Sequence, residues 1–140
     1  MGSKITARCI IQIAGRPVET VKKALDTVVA KIKEDKKIKV IEESIDKPIL
    51  DKESNLYSGF IELLIKFEDP RTILGFIADY TPSSIEVEEP SSLKFDSADF
   101  TEILNDMSLI LLKTNLKLRQ TQSMAFSLDK KVKELETNKK

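Results

Sequence analysis

The chain reads as an α+β protein: a four-stranded antiparallel sheet with two helices on one face, then a long C-terminal helix. Three observations predict it. Four stretches alternate apolar and polar residues with the period of half-buried strands, and two others carry apolar residues at helical spacing. Their order is strand, helix, strand, strand, helix, strand. The last third, Asp96 to Lys140, contains neither Gly nor Pro and runs from acidic to basic residues, as suits one helix and its dipole.

The first strand shows Ile5, Ala7, Cys9, Ile11 and Ile13 on one side and Lys4, Thr6, Arg8, Ile10 and Gln12 on the other. Gly15-Arg16-Pro17 ends it, with Pro17 suited to the first helical position and Arg16 to the N-cap place before it. Val18, Val21, Leu25, Val28 and Ile32 then recur at helical spacing. Ile38 to Asp46 reads as a second strand, with Val40-Ile41 marking a bulge and Pro48 an edge position. Ile49 to Asn55 reads as a polar connection. The third strand is the clearest. Tyr57, Gly59, Ile61, Leu63, Ile65 and Phe67 face one way, and Ser58, Phe60, Glu62, Leu64, Lys66 and Glu68 the other. Asp69-Pro70 is an N-cap followed by Pro at N1, and Ile73, Phe76, Ile77 and Tyr80 line the short helix after it. Ile85 and Val87 belong to the fourth strand. Pro90-Ser91-Ser92 links residues 1–90, the sheet domain, to residues 91–140, the helical extension.

Asp96 is the expected N-cap of the long helix, with Asp99 at N3 and Phe95 and Phe100 at the staple positions. Its apolar residues run in heptads. Leu104, Leu111, Leu118, Ala125 and Val132 form one series; Met107, Thr114, Thr121, Leu128 and Leu135 form the other. Leu109, Leu112 and Leu116 add a second stripe in the first half. About forty residues of helix reach roughly 60 Å, longer than a small domain is wide. The far half therefore calls for a partner face, and Leu111, Leu118, Leu128, Val132 and Leu135 are the residues expected to meet it. The competing reading is an ordinary core helix with a frayed charged tail, and Asn105-Asp106 is a place where the segment could break in two.

The element order resembles the βαββαβ pattern of ferredoxin-like domains. That resemblance puts the first and third strands side by side, both helices on one face, and Arg8, Ile10, Gln12, Phe60, Leu64 and Lys66 on the other. Ile10, Phe60 and Leu64 are apolar for a solvated face, so a cover is expected there.

Composition narrows the chemistry. With 23 basic and 23 acidic residues the formal charge is zero, which gives no reason to expect a nucleic-acid or acidic-membrane partner. The absence of histidine removes His-based catalysis and His metal sites, and one cysteine, Cys9, permits no internal disulfide. Cys9 lies in a strand and reads as a buried small hydrophobe. No apolar run spans a bilayer and no signal-peptide pattern precedes the first strand, so a cytoplasmic protein is expected. No Gly-rich phosphate loop, zinc spacing or nucleophile elbow is present; no catalytic residue, metal or cofactor is expected.

Three functional readings follow. The first is a non-enzymatic assembly or adaptor module, self-associating as a homodimer through the C-terminal helix or meeting another protein there. The second is a domain that senses an anion or amino acid at Gly15, Arg16 and Pro17, where free helix N–H groups and a guanidinium converge. The third is RNA binding on the far sheet face, which Phe60 alone supports with an outward aromatic. The carboxylates at Glu42, Glu43 and Asp46 and at Glu86, Glu88 and Glu89 read as guards of sheet edges.

Overall fold

Strand β1 (Ile5–Gly15) and the longest strand are neighbours in the middle of an antiparallel sheet. The computed structural model describes residues 4–138. In chain order the remaining elements are α1 (Val18–Glu34), β2 (Ile38–Ile45), β3 (Ile49–Asp51), β4 (Leu56–Phe67), α2 (Pro70–Tyr80), β5 (Ser84–Glu89) and α3 (Ser97–Asn138). The chain divides into two units, one ending at Ile103 and the other starting at Leu104.

In the first unit the sheet has five strands among the described residues, not four, in the order β2-β4-β1-β5, with β3 also pairing β4. The extra strand occupies what the sequence suggested was a polar connection. Ile49, Leu50 and Asp51 pair with Ser58, Tyr57 and Leu56, so β2 and β3 follow one another along the same edge of β4. Pro48, which has no N–H to give the ladder, falls between them. A short turn then reverses the chain. The Asp51 carboxylate accepts from the Glu53 N–H at 3.0 Å, and Asn55 takes the left-handed conformation (φ 57°) that Asn tolerates well. Three residues after a proline are too few to show an alternation, which is why the pattern alone missed β3.

The buried faces follow the period-two pattern. Ile5, Ala7, Cys9 and Ile11 of β1 and Ile61, Leu63, Ile65 and Phe67 of β4 are buried, and Val21, Leu25, Val29 and Ile32 of α1 and Phe76 of α2 pack on that face. Of the two neighbouring valines, Val29 rather than Val28 joins the buried core, and Val28 packs at its margin. Phe76 meets Phe67 edge-on at 5.4 Å and Tyr80 at 5.2 Å. Gly59 permits α1 to come this close. A Cβ placed there would stand 2.6 Å from Leu25 Cδ1, so a side chain at 59 would force the Leu25 side chain out of its present packing.

Local chemistry sets the helix ends. Asp69 caps α2: the Thr72 N–H donates to Asp69 Oδ1 at 2.9 Å and the Thr72 hydroxyl at 3.0 Å. Asp96 does the same for α3, accepting from the Asp99 N–H at 2.8 Å. One ladder irregularity lies between Val40 and Glu42, at the expected bulge, and another between Thr6 and Ala7. The α3 segment is one uninterrupted helix through Asn105 and Asp106, so the break considered there does not occur.

Candidate functional site

The far face of the sheet is organised by Arg8. This residue stands on β1 in the row Glu86–Arg8–Leu64–Glu42, which crosses four strands in register. Its Nε donates to Glu88 Oε1 of β5 at 2.9 Å. Nη2 lies 3.5 Å from Glu42 of β2 and Nη1 3.9 Å from Glu62 of β4. One guanidinium thus serves carboxylates from three strands, and the hydrogen bond to Glu88, followed by the fields of the carboxylates, raises its already high pKa. To reach Glu42 the side chain must pass over Leu64, the residue between them in the row. That accounts for Leu64 being only 9% exposed. Leu64 is thus shielded within its own row, between Arg8 and Glu42. Phe60, at 36%, keeps more of its surface exposed. Gln12 Nε2 is 3.5 Å from Ser58 Oγ, and Lys66 sits beside Thr6 and Lys39 at the other end of the face.

The acidic runs are consequently more than edge guards. Glu42 and Glu88 are held by Arg8, and Glu43 pairs with Lys33 of α1 at 2.6 Å. Alternation could place Arg8 outward, but only the register brings Glu42, Glu62 and Glu88 to it from segments far apart in sequence. The far face carries a negative surplus around Arg8: one positive charge meets the three carboxylates it contacts, with Glu86 beside it in the row.

Gly15, Arg16 and Pro17 form the junction between β1 and α1. The helix begins one residue later than expected: Val18 is its first residue and Pro17, not Arg16, is the N-cap. Proline has no side-chain acceptor, and no side chain caps this end; the Pro17 carbonyl accepts from Thr20 and Val21 at 3.1 and 3.3 Å. Arg16 is exposed. The junction lines neither of two shallow depressions on this unit. One, about 180 Å³, lies among Leu25, Asp26, Ile45 and Pro48; the other, about 170 Å³, lies among Lys4, Ile38, Lys39 and Phe67. Small-molecule pockets start near about 300 Å³.

Cys9 is buried, and desolvation pushes its thiol up to about 11, so the neutral form prevails at physiological pH. Among the described residues no group of Cys, Asp and Glu is placed to hold a metal ion, and no helix is long and apolar enough to cross a membrane.

The second unit is the body of α3. Leu111, Leu118, Leu128, Val132 and Leu135 lie along one side at heptad spacing, and all are exposed: Leu128 61%, Val132 52%, Leu135 63%. The two threonines in the seam do not waste a donor. Thr114 Oγ1 donates to the Ile110 carbonyl and Thr121 Oγ1 to the Lys117 carbonyl, each at 2.9 Å, so their hydroxyls are satisfied inside the helix.

These features define an α+β protein with a far-face ion-pair cluster and a long C-terminal helix that exposes many apolar side chains. The chain belongs to the MJ0538 family, whose sequence model matches residues 6–140. Comparisons with curated proteins and with solved structures give no match.

Proposed function

We propose that the chain is a non-enzymatic assembly module that pairs with a second copy of itself through α3. The observation that carries this reading is the exposed seam from Leu111 to Leu135. Apolar side chains repeated at that spacing on a helix find their burial against another helix, and a lone helix in water is marginal. A twofold pair is the commonest way for one chain to provide that surface. The sheet unit fits the role of a carried domain. Its strand order β2-β4-β1-β5, with α1 and α2 on one face, is the order a ferredoxin-like sandwich would have, β3 being an added edge strand. A cytoplasmic setting suits its unpaired Cys9 thiol. Sedimentation equilibrium on the full chain tests the reading: a dimer at micromolar concentration is expected, and a monomer at high micromolar concentration would overturn it.

A second reading, anion or amino-acid sensing at Arg16, is favoured by one observation, the α1 N-terminus without a side-chain cap. Thermal shifts with carboxylates and phosphates, compared between the native chain and Arg16→Ala, decide it, because a ligand bound only by the folded state raises its melting temperature. RNA binding is disfavoured by the carboxylates around Arg8, which repel phosphate.

A further inference from the structure

We propose that the second copy of this chain lies parallel and in register along α3 over its last two heptads, Ala125 to Glu136. This rests on the reading of α3 as the self-association element and adds its direction. With Leu128 and Leu135 in the d series and Val132 in the a series, the flanking e and g positions are Asp129 and Glu136, and Met124 and Lys131. In a parallel pair each g residue faces the e residue five positions on in the other copy. Lys131 then meets Glu136 twice, once on each side of Val132. The other g-to-e′ combinations are Ile103 with Ser108, Ile110 with Asn115, Lys117 with Gln122 and Met124 with Asp129. None sets like charges together. The antiparallel pairing that aligns the whole seam instead places Lys131 against Ile110 and Lys117 against Met124, and gains no ion pair. Within a parallel arrangement, Val132 at a with Leu128 and Leu135 at d suits two strands rather than three. Asp129, the remaining acidic e residue, is 3.4 Å from Lys133 of its own helix and needs no partner from the second copy. The weak middle of the seam is tolerable in this arrangement. Thr114 and Thr121 would each face their own symmetry mate, and their hydroxyls, already bonded to Ile110 and Lys117, require nothing from it.

Direction and association are separated by one set of full-length variants. Leu135→Cys should form a disulfide-linked dimer on mild oxidation, because position 135 faces itself only in the parallel register. Cys9, buried with its thiol pushed up to about 11, leaves the native chain an unreactive control. Lys131→Glu should weaken dimerisation about tenfold by turning two attractive pairs into repulsive ones, and Lys131→Glu with Glu136→Lys should restore it. A dimer by sedimentation in which Leu135→Cys does not cross-link and Lys131→Glu has no effect would overturn the parallel arrangement and leave self-association standing. A native chain monomeric at high micromolar concentration would overturn both.

Discussion

Arg8 holds together carboxylates that would otherwise repel one another across three strands. Replacing it with methionine keeps the stem that covers Leu64 and removes the charge. We expect Arg8→Met to melt modestly below the native chain at pH 7. The gap should narrow in high salt, which screens the ion pairs; scanning calorimetry across salt concentration measures it. Asp69 makes stability depend on pH. Its pKa is depressed, chiefly because it accepts the Thr72 N–H, so its contribution is complete above the ordinary Asp value and is lost as pH falls through the depressed one. Asp69→Ala should cost about 1 kcal/mol at pH 7 in denaturant melts, while Asp69→Asn, still a good cap, should cost little and flatten that acid-side slope. Asp69-Pro70 was legible from two adjacent letters because a cap is local. The Arg8 cluster was not, because Glu42 and Glu88 reach it only through strand register.

Among the elements, β4 and α1 show most clearly how pattern becomes packing. Alternation along Tyr57–Phe67 gave the buried face of β4 correctly, because a strand's two sides are set by period alone. It could not say that Leu25 would rest on Gly59, since that contact joins residues brought together by the crossover. Gly59→Val should destabilise by about 1–3 kcal/mol, read from chemical denaturation, with the sheet order retained. Pairing the substitution with Leu25→Ala tests the contact, because space removed on the helix should recover part of the loss and make the two changes non-additive. The elements the sequence left unclear were those ruled by a residue or two. The three residues of β3 were too short to show a period. The start of α1 moved by one residue because proline fits both N-cap and N1 backbone geometry, with φ −72° at Pro17. At Asn105-Asp106, two residues of modest helix propensity lie inside a long apolar repeat, and the helix continues through them.

For the whole molecule the question is whether stability depends on how much protein is present. If α3 binds a second copy, the folded chain is stabilised by mass action, and its melting temperature must rise with concentration. A chain whose helix is paired with nothing shows no such dependence. Leu128→Asp with Leu135→Asp places two charges per copy in the seam, where pairing would strip them of water, and removes two of its largest apolar groups. Neither position lies in the unit that ends at Ile103. The double variant should therefore keep the native β-sheet signal and an unreactive Cys9, yet lose the rise of melting temperature with concentration. Truncation after Thr121 should do the same by removing Ala125, Leu128, Val132 and Leu135 together. Melting curves of the native chain, the double variant and the truncation, each measured from about 1 to 100 times a starting micromolar concentration, make the comparison. A native curve that does not move with concentration would mean that the seam is not a self-association surface. A native curve that moves equally in the native chain and both variants would mean that the chain associates elsewhere.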